Sequence, residues 1–160
     1  MRRLLSVLTA FALSCAALIC ESGAASATGT PRAQFWDGTG YQSRKLDKDV
    51  WSQGYAQIPD LSREGLSCWF CSGNWDNRIS SLSTTGGGQS PVDLWVYTEP
   101  GYQGRCVYIP ANTQISDLHN MVVSGISYPI SLDNDISSFM VYDTRVVQPD
   151  LPCHRLISHL

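Results

Sequence analysis

The phrase Asp76-Asn77-Arg78-Ile79-Ser80-Ser81 returns 57 residues later as Asp133-Asn134-Asp135-Ile136-Ser137-Ser138. Upstream of each copy, two aromatic residues flank a glycine turn: Trp36-Asp37-Gly38-Thr39-Gly40-Tyr41 and Tyr97-Thr98-Glu99-Pro100-Gly101-Tyr102. The second continues Gln103-Gly104, whereas the first has Ser43 where the glycine would stand. Two elements recurring in one order mark a duplicated unit. Neither unit can easily bury a sheet face alone, so the repeat predicts two sheets packed face to face around one core.

The local pattern is that of short strands. Residues 92–97 (VDLWVY) and 105–109 (RCVYI) carry the β-branched and aromatic content of strands. Residues 33–36, 66–70, 79–82, 121–128 and 136–142 read as further strands, the fourth of these bent at Gly125 and limited by Pro129. Residues 54–65 read as irregular because of Pro59, and residues 111–118 as a polar crossing anchored by Ile115 and Leu118. TTGGGQSP, residues 84–91, has the composition of a joint between the halves. No segment sustains a helical apolar period. The expected fold class is all-β, two four-stranded Greek-key motifs in a sandwich, with motif one over about 33–84 and motif two over about 92–143.

Arg2 and Arg3, an apolar run over residues 4–20 and small residues at 24–27 predict a secretory signal peptide over residues 1–27. Removing Arg2, Arg3 and Glu21 from 11 basic and 14 acidic residues leaves 9 and 13, a mildly acidic chain with no basic run. That argues against nucleic acid as a partner. No other apolar run is long enough to span a membrane. The mature cysteines are Cys68, Cys71, Cys106 and Cys153. In an exported chain they predict structural disulfides, with three full pairings open. Cys106 to Cys153 is favoured, since it would tie the tail at 144–160 to a strand. Cys68-Trp69-Phe70-Cys71 lacks the strand-then-helix setting of a redox motif, and the other two cysteines lack zinc-site spacing.

The two motifs together resemble the βγ-crystallin family. Its hairpin pattern (aromatic, four residues, aromatic, any residue, glycine) is matched by Tyr97, Tyr102 and Gly104, and by Trp36 and Tyr41 without the glycine. Its calcium signature (two Asn or Asp, two variable residues, Ser or Thr, then Ser) is matched in full by both phrases. The resemblance covers about residues 33–143, with an insertion-like stretch at 45–67. It implies up to two Ca2+ sites in phrases opened by Asp76 and Asp133, with side-chain oxygens from Asn77 and Ser80 in one half and Asn134 and Ser137 in the other. It further implies backbone carbonyls from Arg78 and Asp135, and hairpin carbonyls near Asp37 and Glu99, with the halves completing each other's sites. Ser81 and Ser138 would bond the hairpins, and Ile79 and Ile136 would face the core.

The donor chemistry agrees with a hard cation, which takes oxygen ligands. Neither phrase contains imidazole or thiolate, which argues against zinc and copper. With Asn rather than Asp at the second position, affinity is expected in the roughly 10⁻⁴ to 10⁻³ M range of extracellular calcium modules. His119, His154 and His159 form no ligand spacing and are expected to face solvent, and no nucleophile has a diagnostic surround, so no enzyme is predicted. Trp51 and Trp75, in expected loops, are surface candidates for binding. The expected form is a secreted monomer. The competing reading is a secreted protein-binding module, such as a protease inhibitor or killer-toxin-like protein, with a loop near 68–75 as its contact surface.

Overall fold

The computed structural model describes residues 31–50, 53–66, 72–86, 91–146 and 149–159. The signal-peptide stretch, Trp51, Trp69 and the pair Cys68 and Cys71 lie outside the described residues. Repeat one contributes β1 (Arg32–Gly38), β2 (Gln42–Asp49), β3 (Tyr55–Ile58) and β4 (Ser81–Gly86). Repeat two contributes β5 (Val92–Glu99), β6 (Gln103–Ile109), β7 (Gln114–Ile115), β8 (Met121–Val123) and β9 (Ser138–Asp143). The tail adds β10 (His154–His159).

Two sheets result, of order β2-β1-β4-β7 and β3-β9-β5-β6-β10-β8. Each repeat lays its first, second and closing strands side by side and sends its short third strand across. Thus β3 pairs with β9 of repeat two, and β7 pairs with β4 of repeat one. The four-plus-four arrangement expected from sequence is therefore present with a supplement. The second sheet carries two more strands, β10 running parallel to β6 and antiparallel to β8. The tail is a sheet strand as well as a tether, and the Cys106–Cys153 disulfide joins it to β6 with a Cα separation of 4.8 Å.

The inward faces follow strand alternation. Ala33 and Phe35 from β1, Leu82 from β4, Leu94 and Val96 from β5, and Phe139 and Val141 from β9 are all 0% exposed. The rings of Phe35 and Phe139 stack across the core at 4.4 Å. Ile79, Ile136, Ile115 and Leu118 are likewise fully buried, as the sequence predicts. Burying one such side chain contributes about 1.5–3 kcal/mol.

Several expectations change. The strand expected over 121–128 ends at Val123, and the first residues of the joint expected over 84–91 belong to β4, which runs to Gly86. The stretch at 45–67 is no plain insertion: it holds most of β2, all of β3 and a 3₁₀ turn at Leu61–Arg63. β2 is an edge strand whose only buried side chain is Leu46, so its sequence reads as polar. Pro59 follows β3 and ends it without interrupting it. Trp75 is no surface residue but 1% exposed, because its N–H donates back to the carbonyls of Leu61 and Glu64 at 3.3 and 3.0 Å, folding the loop inward.

The first hairpin forms despite Ser43. Tyr41 and Tyr102 share φ values of 60° and 62°, and Ser43 and Gly104 share 72° and 75°. The rings close over both turns edge to face, at 5.1 Å for Trp36 and Tyr41 and 5.6 Å for Tyr97 and Tyr102. What differs is the residue opposite. A Cβ on Gly104 would come within 2.5 Å of Thr98 Oγ1 and 3.0 Å of Glu99 Cγ. Where Glu99 stands in repeat two, repeat one has Gly38, and the Cβ of Ser43 occupies the space this leaves. The glycine has changed sides of the hairpin. Ser43→Gly should therefore alter stability by no more than about 1 kcal/mol, relief of the left-handed strain being offset by a more flexible unfolded chain. Gly104→Ser should cost about 2 kcal/mol or more, since strain and collision add. Urea melts of both variants measure the asymmetry.

Candidate metal centre

Each acidic phrase sits where the two repeats meet, and the pair is cross-braced. The Asn77 N–H donates to the Ile136 carbonyl at 3.1 Å, and the Asn134 N–H donates to the Ile79 carbonyl at 3.0 Å. Both asparagines hold φ of 52°, a left-handed conformation that Asn tolerates better than most residues. The aspartate preceding each is set by a short side-chain turn: Asp76 N–H donates to Asn74 Oδ1, and Asp133 N–H donates to Ser131 Oγ, both at 3.2 Å. The asparagine amide then donates to that aspartate, at 3.3 Å from Asn77 to Asp76 and 2.7 Å from Asn134 to Asp133.

The two serines of each phrase divide the work. Ser138 Oγ donates to the Glu99 carbonyl at 2.6 Å and accepts from the Tyr102 N–H at 3.1 Å. Ser81 Oγ donates to the Gly38 carbonyl at 2.7 Å and accepts from the Tyr41 N–H at 3.1 Å. Both hydroxyls lock the folded hairpins, as the sequence predicts. The other serine of each phrase is joined to the hairpin through backbone: Ser80 N–H to the Trp36 carbonyl at 2.8 Å, and Ser137 N–H to the Tyr97 carbonyl at 2.9 Å.

One grouping of oxygens differs from expectation. Asn77 meets Ser137 of the other repeat, with Ser137 Oγ 3.2 Å from Asn77 Oδ1. The carboxylate of Asp37 is committed to the hairpin: it accepts from the Arg44 N–H at 2.8 Å and lies 3.2 Å from Arg44 Nε and 4.0 Å from an Arg78 nitrogen. The Arg78 guanidinium is thus drawn toward Asp37. Glu99 is exposed, and Asp135 is half-buried, with its N–H donating to the Leu132 carbonyl at 3.2 Å.

Four side-chain atoms among the described residues are shut from solvent without a hydrogen-bond partner: Asp49 Oδ1, Trp75 Nε1, Asp76 Oδ1 and Asp133 Oδ1. Asp49 Oδ1 has the Arg32 guanidinium at 3.5 Å. Asp76 and Asp133 hold the same place in the two repeats, so their orphaned oxygens are a duplicated feature. A buried carboxylate oxygen without a donor is costly unless a cation supplies the missing partner. Among the described residues, no three or more His, Cys, Asp and Glu side chains gather as a metal cluster. The oxygens here come instead from Asp, Asn and Ser.

His119 is exposed, as expected, but the sequence reading missed its contacts. Its Nδ1 bonds Asp117, and its Nε2 lies 3.2 Å from Asp133 Oδ2. The signal was available: Asp60-Leu61-Ser62 recurs as Asp117-Leu118-His119 at the same 57-residue spacing as the phrases. In each, the aspartate accepts the N–H two residues on, at 3.0 Å from Ser62 and 2.9 Å from His119. The buried leucine between them donates its N–H to the opposite repeat or phrase, Leu61 to Ser137 and Leu118 to Ser80.

No protein-family model matches the chain, and no curated protein sequence matches it. Among solved structures it is similar to one described under the evolution of the eye lens βγ-crystallin domain fold, at 14% identity and a TM-score of 0.49, covering 72% of this chain and 88% of that one. It is similar to the N-terminal domain of protein S at 20% identity and a TM-score of 0.45, covering 72% and 99%. It is also similar to a βγ-crystallin from Ciona intestinalis at 14% identity and a TM-score of 0.44, covering 68% and 95%. All three scores lie below 0.5, and the sheet order and strand exchange stand without them.

Two measurements check the site as described. Ser138→Ala removes two hydrogen bonds and strands a hairpin carbonyl and N–H, so urea melts should show a loss of about 2–3 kcal/mol. His119 is held above the ordinary imidazole range by its bond to Asp117 and then by the charge of Asp133. The protonated form is favoured in the fold, so its contribution is complete below the unfolded pKa and is lost as pH rises through the folded one. NMR titration should place His119 above about 6.5, and Asp117→Asn should lower it.

Proposed function

We propose that this chain is a secreted, non-catalytic calcium-binding module in which two ions fasten one repeat to the other. The observation that carries the reading is the duplicated pair of buried, partnerless oxygens, Asp76 Oδ1 and Asp133 Oδ1. A cation at each phrase would supply what both lack. Calcium suits the donors because they are hard oxygens drawn from carboxylate, amide, hydroxyl and backbone groups.

The first site would take Asp76, Asn77 and the Arg78 carbonyl from repeat one, with Ser137 and a hairpin carbonyl beside Glu99 from repeat two. The 3.2 Å between Asn77 Oδ1 and Ser137 Oγ is compatible with both reaching one ion at the roughly 2.3–2.6 Å of calcium–oxygen bonds. The second would take Asp133, Asn134 and the Asp135 carbonyl, with Ser80 and a carbonyl beside Asp37. Because the ligands of each site would come from both repeats, binding would require the sandwich to be assembled. An ion that binds only the folded state at tenfold its Kd adds about 1.4 kcal/mol per site. The basic start and apolar run over residues 4–20 support secretion, and among the described residues no helix is long and apolar enough to cross a membrane.

Calcium titration calorimetry on the oxidised protein, with melts in calcium and in chelator, tests the proposal. Two equivalents and a raised melting temperature are expected. Asn77→Ala and Ser137→Ala should each remove the same one equivalent, and the double variant should still keep the other. No heat up to about 10 mM calcium, well above the extracellular range, with melting unchanged, would sink the reading.

A further inference from the structure

The duplication supplies an internal comparison on the outer face of the sandwich. Beside the aromatic pair of each hairpin lies a surface hollow. Register makes the two equivalent: Ser81 lies opposite Trp36, Ser138 lies opposite Tyr97, and two residues on stand Ser83 and Met140. In repeat one the hollow measures about 190 Å³, and Gln34, Ser83 and Gln114 make its floor polar around Trp36 and Tyr41. In repeat two it measures about 340 Å³, near the lower end of the roughly 300–1,000 Å³ of small-molecule sites. Tyr97 and Tyr102 stand where Trp36 and Tyr41 do, Met140 replaces Ser83, no glutamine lines the hollow, and the tail adds a wall of Leu151, the Cys106–Cys153 bridge and His154.

Charge also sets this hollow apart. The chain carries a net charge of −3, yet the lining includes the Arg105 guanidinium and no carboxylate. The His154 ring is fixed by its Nδ1, which donates to the Ser124 carbonyl at 2.8 Å, leaving Nε2 as the nitrogen available to a ligand. Tyrosine faces and a thioether favour a flat aromatic ring. A guanidinium favours an anion and stacks on planar groups.

We propose that the hollow of repeat two, walled by the disulfide-tied tail, binds a small planar aromatic ligand bearing an anionic group. Its aromatic part lies against Tyr102 and Met140, and its anion pairs with Arg105. The polar hollow of repeat one takes no such ligand.

The test uses the oxidised full chain and two fluorescent probes, anilinonaphthalene sulfonate and its uncharged analogue N-phenylnaphthylamine. One saturable sulfonate site is expected, with the uncharged probe weaker. Arg105→Gln should weaken the sulfonate by about fivefold or more, as loss of one charge-assisted contact implies, and leave the neutral probe unchanged. Leu151→Asp, on the half-buried tail wall, should abolish sulfonate binding, whereas Gln114→Ala in repeat one should not affect it. Melting curves establish that each variant is folded, and Arg105, being exposed, decides the matter if Leu151→Asp is not. Unsaturable binding, equal affinity for both probes, or indifference to Arg105→Gln overturns the proposal.

Discussion

Neither repeat owns its third strand, and the rest of the structure follows from that exchange. β3 leaves repeat one to pair along β9, and β7 leaves repeat two to pair with β4. A repeat on its own would therefore expose the edge of its closing strand and half of its core. The exchange also brings the two acidic phrases into register. With the third strands crossed, the backbone of Asn77 reaches Ile136 and that of Asn134 reaches Ile79. The oxygens that could serve a cation are consequently shared between repeats.

Much of this was legible in the residues because the decisive signals are local and duplicated. A hydroxyl that must lock a hairpin and an isoleucine that must face the core each leave a fixed residue type at a fixed offset. The repeat makes those offsets visible. The disulfide to the tail was legible for a different reason, since tying a tail to a strand gives that pairing a structural purpose.

What escaped the reading depends on tertiary placement. β2 carries Arg44, Lys45, Asp47, Lys48 and Asp49 around one inward leucine, as an edge strand can. Its composition says loop, and only its pairing with β1 says strand. Trp75 lies in a local turn, yet the preceding 3₁₀ segment carries it beneath the surface. His119 faces solvent as expected; Asp117 lies two residues before it, but Asp133 reaches it only in the fold. The first hairpin has Ser43 in place of the patterned glycine, and the compensating Gly38 lies on the opposite strand.

The position of β10 carries a consequence for the order in which the molecule can be made. A polypeptide emerges from its amino end, and domains tend to organise as they appear. Here β8 is bound to the second sheet only through β10, which lies between it and β6. When β8 has been synthesised, its place in the sheet does not yet exist. Met121 can already exchange backbone hydrogen bonds with Ile130, but β8, whose Met121 and Val123 are buried in the finished molecule, gains its strand partner only when residues 154–159 arrive. The first sheet needs nothing beyond β7, so it can be complete while the second still waits. Assembly is thus staged by topology: an early sandwich of exchanged strands, then a late insertion that seats β8 and brings Cys153 to Cys106.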